Sequence, residues 1–496
     1  MYINQRNKIR DIFDTAVEAV YCAVQSQDST YLAVAAEGLS AVSEYMKNIP
    51  GCAGETGEID EILVKEVYEM QKLETKKGRE EAAERICAGI RRKKDCILRK
   101  RCRYKAVFMP YKASMWTSLE SIWLAAEKDP DCDAVVMPLP YYDIGDARKV
   151  KEIYEGDRFP KNVPITEYSA FDLAGQEPEM GFIHNPYDDK NNLTWVHPRY
   201  FSGELKKHIR CLVYSPYFTI AAHTLGDSDY KYVEPGIFNA DKIAVQSEQV
   251  SRIFQSYGHR KDKMIVHGSP KMDAVVTMRG EDYIIPEEWK EKLHGGVFLL
   301  NTHLAYLPNA FAYAGSMKNY ATRYLTELLD FFADNDECSL IWRPHPLSKA
   351  VLEGKAPECL EFVREAEDRI RHSRNCVMDQ SDDYRMAFWR SDALISTYSS
   401  LINEYMATGK PVMIFQTRQG PDAAARAPVK RNLNYFRFGA GGMGFPDFVH
   451  MVMEGKDPGR EERMEMMRQS FLNLDGSAGE KIYREVVKFI IGENGS

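Results

Sequence analysis

Apolar residues recur at three- and four-residue steps from the start of the chain. Ile9, Ile12, Phe13, Val17, Val20 and Tyr21 fall on one face of a helix. A second helix is predicted over 29–46, with Ser29 as N-cap, and Asn48-Ile49-Pro50-Gly51 stops it. From 58 to 98 the chain is highly charged and almost without Gly or Pro, which predicts one long helical stretch. Residues 1–100 are therefore expected to form a helical region.

The period then changes. Short apolar runs alternate with helical stretches, the beat of a parallel sheet. Strands are predicted at 104–109, 134–137, 181–184, 211–214, 242–245 and 264–267, with a helix over 118–127. After the polar segment 279–296 a second set follows, at 297–301, 339–342, 376–378, 393–396 and 411–415. Helices are expected between them over 320–334, 357–372 and 401–408, and a last one over 479–491. Pro357 suits a first helical position, where its missing N–H costs nothing. The expected fold class is α/β. Its domains are a helical region over 1–100, a first Rossmann-like domain over 101–285, a second over 286–475, and a C-terminal helix over 476–496.

Length and composition add limits. A chain of 496 residues with 44% hydrophobic and 28% charged residues is an ordinary globular protein of two to four domains. The formal net charge of −8 gives no global basic footprint, so no nucleic-acid partner is expected. The ten cysteines are scattered, with no CxxC pair, which suits reduced thiols. No run approaches the ~18–20 apolar residues of a membrane span. The first twenty residues carry charges throughout and lack an apolar leader core. The expected location is the cytoplasm. One basic run, from Arg91 to Arg103, holds eight cations in thirteen residues. It raises peripheral contact between 91–105 and an anionic membrane as an expectation, with a solvated helix end as the alternative.

Ligands of open parallel sheets bind beyond the carboxyl ends of the strands, and two clusters stand there. In Ile341-Trp342-Arg343-Pro344-His345-Pro346 a strand runs into a loop stiffened by two prolines. Arg343 can neutralise phosphate oxygens and His345 can move a proton near neutral pH. In the run from Asp392 to Pro411, a strand is followed by Thr397-Tyr398-Ser399-Ser400, a helix bearing Glu404, and a Gly409-Lys410-Pro411 stop. Free N–H groups at the helix start fit an anion. The Glu404 carboxylate, one turn further in, can accept bonds from a ribose diol.

In this order, R-x-H-P followed by S-D-A-L-I-S-T-Y-S-S-x-x-x-E-Y-x-x-x-x-K-P-x-x-x-F resembles the CDP-glycerol glycerophosphotransferases of teichoic acid synthesis. The family usually has Asp where Thr397 stands. Residues 240–275 are also similar to it, through Ser247-Glu248 and Gly268-Ser269-Pro270-Lys271-Met272-Asp273. The resemblance spans about 210–420. It implies a GT-B-like fold, two Rossmann-like domains facing a cleft. It also implies a transferase moving glycerol phosphate, or a similar polyol phosphate, from a CDP-activated donor to a hydroxyl of a cell-envelope polymer or lipid-linked acceptor, with release of CMP. Arg343, His345, Thr397, Ser399 and Ser400 would hold the donor phosphates and Glu404 the ribose. No metal or other cofactor is implied as necessary.

The family's Trp-His-Gly-Thr-Pro element, whose His is the expected base, has no clean counterpart. His223 follows a strand in the right order. His267, in His267-Gly268-Ser269-Pro270, mimics the letters in a different setting. The base is thus open between His223, His267 and neither. Thr302 and His303 end the first strand of the second unit and are within reach of the phosphates. His184 and Tyr217 end strands on the expected acceptor side. Asp227-Ser228-Asp229 spells a three-letter metal motif that is common by chance. Two other functions stay open: a GT-B glycosyltransferase using a nucleotide sugar, and a non-catalytic nucleotide-binding scaffold.

Overall fold

Short runs of Val, Ile, Leu and Phe that are buried on both faces build two parallel sheets. The computed structural model describes residues 1–144, 150–220, 232–303, 307, 316–345, 348–397, 399–414 and 444–492. In the first unit, β1 (Tyr104–Met109), β2 (Cys132–Val136), β3 (Met180–Ile183), β4 (Cys211–Tyr214), β5 (Lys242–Val245) and β6 (Met264–Val266) pair in the order β2-β1-β3-β4-β5-β6. In the second, β7 (Gly296–Thr302), β8 (Cys338–Pro344), β9 (Cys376–Met378), β10 (Ala393–Ser396) and β11 (Val412–Ile414) pair as β9-β8-β7-β10-β11. All these pairings are parallel. Two doubly wound, Rossmann-like units result.

The strand order reverses direction beside β1 in one sheet and beside β7 in the other. Such switch points open a crevice at the carboxyl edge. The loop after β1 and the ends of β7 and β10 are therefore where ligands of this architecture sit.

The helical region has a core of its own. Helices α1 (Ile3–Ser26), α2 (Thr30–Lys47) and α3 (Lys76–Leu98) bury Phe13, Val20, Leu39, Val42, Ile86 and Ile90 among themselves. The stretch predicted as one helix from 58 to 98 is broken. A helix ends at Met70, residues 71–75 turn, and Thr75 restarts the chain by accepting the Gly78 N–H. A Thr N-cap can restart a helix without Gly or Pro nearby. Buried Glu179 clamps the region to the first sheet, accepting the N–H groups of Asn4 (2.9 Å) and Lys105 (2.8 Å).

The last helix returns to the first unit. Helix α13 (Ala478–Gly492; α4–α12 are Glu120–Glu127, Glu248–Ser256, Pro270–Val276, Ser316–Ala333, Leu360–His372, Arg385–Arg390, Leu401–Met406, Phe445–Met453 and Arg460–Ser470) buries Ile482, Tyr483, Val486 and Ile490 beside Ile122, Trp123 and Ala126 of α4. Each such apolar side chain contributes roughly 1.5–3 kcal/mol. Gly479 lets the two helices touch, since a Cβ there would lie 2.1 Å from the Ser121 hydroxyl. A small antiparallel sheet of Tyr141–Asp143, Lys151–Ile153 and Thr194–Val196 was not anticipated.

Most of the basic run is paired within the fold. Lys93 pairs with Glu58, Lys94 with Asp14, Lys100 with Glu55, Arg101 with Asp131 and Arg103 with Asp133, while Arg91 bonds the Tyr21 hydroxyl. These bonds fasten α3 to its neighbours and to the first sheet. Five of the eight cations of 91–103 are therefore held by carboxylates of the fold. No helix among the described residues is long and apolar enough to cross a membrane.

Candidate active site

At the switch point of the second sheet, register places Asn301 of β7 level with Arg343 of β8 and Ser396 of β10. Its amide Nδ2 donates to the Arg343 carbonyl (2.9 Å), and its Oδ1 accepts from the Ser399 hydroxyl (3.1 Å). The Thr397 hydroxyl accepts the His303 N–H at 2.6 Å. The Thr302 hydroxyl accepts the Trp342 indole N–H at 3.2 Å, and its carbonyl accepts the His345 N–H. The rings of His303 and His345 meet edge to face with centroids 5.6 Å apart. Three strand ends and the 397–400 turn are thus locked into one rim.

His345 is neutral at physiological pH. Burial pushes its pKa down to about 4, and His303, Lys112 and Arg343 press the same way. Burial also lowers His303. Arg343 is turned aside from the rim. Its guanidinium pairs with buried Asp379 and donates to the Ser381 hydroxyl and carbonyl. It steadies the rim with its charge already balanced. Ser400 occupies the N-cap of α10 but makes no side-chain cap bond.

The first unit faces this rim. Lys112, in the loop after β1, lies over the rings of Tyr111 and Tyr141 and is close enough to His345 to lower its pKa. Burial lowers Lys112 itself, opposed by the charge of Glu155. Polar contacts cross between the units. Lys271 of α6 pairs with Glu404 of α10 at 2.9 Å and also donates to the Tyr217 carbonyl at 2.9 Å. Asn403 donates to the Thr219 hydroxyl (3.3 Å), and the hydroxyls of Thr117 and Tyr384 are 3.5 Å apart. Arg385 pairs with Glu120, and Arg158 with Asp382. Glu404 is 1% exposed; its Oε2 accepts no bond of full hydrogen-bond geometry among the described residues, and the Tyr384 hydroxyl is the neighbouring donor.

The junction of the two Rossmann-like units thus brings together a buried carboxylate, a hydroxyl-rich turn and neutral imidazoles. The sequence model of the CDP-Glycerol:Poly(glycerophosphate) glycerophosphotransferase family matches residues 228–488, more than half of the chain, including Lys271, Arg343, His345, Ser399 and Glu404. The chain belongs to this family. It is a glycerophosphotransferase-like transferase. Among curated proteins none matches in sequence. Solved structures similar to it include the S. aureus MnaA–UDP complex (12% identity, 78% of this chain and 97% of that one, TM-score 0.47). A putative UDP-N-acetylglucosamine 2-epimerase from Listeria monocytogenes gives 13%, 79%, 98% and 0.48. The wall teichoic acid polymerase TagF gives 13%, 79%, 90% and 0.47.

In this chain the family's long motif divides into residues that staple the fold and residues of the rim and junction. Asp392 accepts the Val297 N–H at 2.8 Å and ties β10 to β7. Tyr405 bonds the Ser391 hydroxyl at 3.0 Å. Lys410 donates to the carbonyls of Phe388, Trp389 and Ser391, capping α9, and burial lowers its pKa to about 8. Among the described residues of the motif, Thr397, Ser399 and Ser400 stand on the rim and Glu404 at the junction of the units.

Of the other expected residues, His223 and Asp227-Ser228-Asp229 lie outside the described residues, as does Tyr398. His267 is not in the cleft cluster. Its imidazole lies within the fields of Glu485, Lys481 and Lys488 on α13, and Gly268 (φ +98°) turns the chain before Lys271. No side chain fits at Gly268, where a Cβ would sit 2.2 Å from the Leu472 carbonyl. Asp273 of the same element accepts the Ala478 and Gly479 N–H groups at the start of α13.

His184 is likewise corrected, from an acceptor contact to a buried support. Its Nε2 accepts the Tyr111 N–H (3.1 Å), and its Nδ1 lies 3.0 Å from the Ser118 hydroxyl and 3.3 Å from the Met115 carbonyl. It is 0% exposed, and burial lowers its pKa to about 3. Sequence reasoning missed Asn301, Lys271 and Lys112 as site residues. The signal available for Asn301 and Lys112 was position alone, at or just past a strand's carboxyl end.

Proposed function

We propose that the protein transfers glycerol phosphate, or a related polyol phosphate, from a CDP-activated donor to a hydroxyl of a cell-envelope polymer or lipid-linked acceptor. The observation that carries this reading is Glu404, buried at the junction of the two units within the family match, with one oxygen that accepts no bond of full hydrogen-bond geometry among the described residues. A buried carboxylate oxygen left without a well-formed bond is costly. The two hydroxyls of a ribose supply what it lacks.

In the transfer, the acceptor oxygen forms a bond to the glycerol-bearing phosphorus. The bond from that phosphorus to the CMP oxygen breaks, and CMP leaves with the electron pair. The acceptor's proton passes to a general base, a role we assign to His223 from its place after β4. His345, neutral with one N–H, donates to a phosphate oxygen as negative charge grows there. Ser399 and Ser400 add hydroxyl donors from the rim. The negative charge of an arriving diphosphate favours the imidazolium and so opposes the lowering of the His345 pKa by burial. The hydroxyl of a lipid-linked acceptor is presented at the membrane surface in this scheme, the protein supplying the cleft.

The test is CMP release from CDP-glycerol in the presence of a polyol-phosphate primer, run beside UDP- and GDP-sugars. CMP formation that depends on primer is expected. Turnover of a nucleotide sugar alone would assign the cleft to a glycosyltransferase, and CDP binding without turnover would assign it to a scaffold.

A further inference from the structure

Lys271 and Glu404 form an ion pair that spans the two units, and each partner has capacity left over. The Lys271 ammonium has three N–H donors. One meets Glu404 Oε1 and one the Tyr217 carbonyl, both at 2.9 Å, and no third acceptor of Nζ is found among the described residues. Glu404 Oε2 accepts no bond of full geometry there, with the Tyr384 hydroxyl as its neighbouring donor, so the carboxylate oxygen keeps lone pairs to offer. Both residues are more than nine-tenths buried. The pair is therefore a buried cation with a spare donor beside a buried anion with a spare acceptor.

A nucleotide offers the matching set on one molecule: hydroxyl donors on the ribose and anionic acceptors on the phosphates attached to the same sugar. An isolated hydroxyl compound satisfies only the acid, and an isolated phosphate only the cation. We propose that Lys271 binds a phosphate oxygen of the nucleotide donor from the first unit while Glu404 takes the ribose from the second, so that one nucleotide completes a bridge already present across the cleft. This rests on the reading of Glu404 as the ribose acid. It makes Lys271 a donor-binding residue contributed by the unit otherwise assigned to the acceptor. It also explains why the cation is buried against a neutral carbonyl and a tyrosine ring, with the Tyr384 centroid 5.6 Å from Nζ. A charge-assisted bond to phosphate strengthens where water is excluded.

The experiment is calorimetric titration of the full chain with CDP and with cytidine, which lacks phosphate. Lys271→Met alone strands the Glu404 charge and can unfold the protein. The decisive comparison is therefore Glu404→Gln against the double variant Glu404→Gln/Lys271→Met, in which neither buried charge is left. The double variant is expected to bind CDP about 10- to 100-fold more weakly than Glu404→Gln, the range of one charged hydrogen bond. Cytidine affinity should change by less than about threefold, because its contacts exclude the phosphate. Lys271→Arg should retain most of the CDP affinity. Equal losses for CDP and cytidine, or no loss for either, would overturn the proposal. The reading of Glu404 fails separately, if Glu404→Gln leaves CDP affinity unchanged. A wild-type chain that binds no CDP overturns both.

Discussion

Acid should reach the cleft through His184. Its Nε2 lone pair holds the Tyr111 N–H, and Tyr111 precedes Lys112 in the loop that carries Thr117 to Tyr384. Burial keeps the ring neutral down to about pH 3 in the folded chain, whereas the unfolded chain protonates near the ordinary value of 6.5. The folded pKa is the lower one, so the unfolded state takes up the proton first and stability falls as pH drops below 6.5. At about 1.4 kcal/mol per pH unit over the ~1.5 units between 6.5 and 5, this one group costs about 2 kcal/mol on going from pH 7 to pH 5. His184→Gln removes the titration, while its amide can still accept from Tyr111 and donate to Met115. Urea unfolding of both proteins at pH 7 and pH 5, followed by tryptophan fluorescence (the rings of Trp116, in this loop, and Trp123 lie 5.7 Å apart), isolates the effect as a difference of differences. The wild type should lose about 2 kcal/mol more than the variant over the same step. Equal losses would refute the assignment of His184 as a buried neutral support.

Three other outcomes separate holding from chemistry. His345→Ala should keep the unfolding midpoint of the wild type yet lower turnover by about 10²-fold or more, as measured by CMP release at saturating donor. Unchanged turnover would remove His345 from the mechanism. Asp379→Ala, by contrast, strands the Arg343 guanidinium in a buried setting and should cost about 3–5 kcal/mol in denaturant unfolding. A loss below 1 kcal/mol would show that Arg343 is free to serve the donor. Asp273→Ala leaves the Ala478 and Gly479 N–H groups without their carboxylate and should cost about 2–3 kcal/mol. Hydrogen exchange read by mass spectrometry should then speed up across α13 before the second unit changes.

The sheets were legible because a parallel strand buried on both faces is a continuous apolar run, and turn signals bound each one. The three-residue strands of the antiparallel sheet are too short to show a period. The break at 71–75 hid for another reason: Thr75 caps a helix in a stretch whose composition suits helix throughout. Pairing over distance was not legible at all. Lys94 finds Asp14, and Arg103 finds Asp133, so a local window showed a basic run where the fold has ion pairs. His184 and His345 look alike in sequence, each at the end of a strand. Only the packing of the 111–118 loop over one of them makes it a support. Lys271 stands in a recognisable element, but its partner is on the other unit and 133 positions away.

The motif from Asp392 to Pro411 was the strongest signal in the sequence, and the structure shows why its strength does not transfer evenly to its residues. Asp392, Tyr405 and Lys410 bind backbone or neighbouring helices and would be needed by any protein with this strand–turn–helix–strand unit. Glu404 is the member whose arrangement makes little structural sense by itself. Folding buries its charge, matches one oxygen with Lys271 and leaves the other without a bond of full geometry among the described residues. A purely structural acid at that position would be better replaced by an apolar side chain, since burying an ion pair seldom stabilises a fold. Loss of activity on changing Asp392 or Lys410 would therefore say little about function. Glu404→Gln keeps the shape and a bond to Lys271 while removing the charge; because it also leaves Lys271 without its counter-charge, a change in nucleotide binding there reports on the site once the unfolding midpoint is matched.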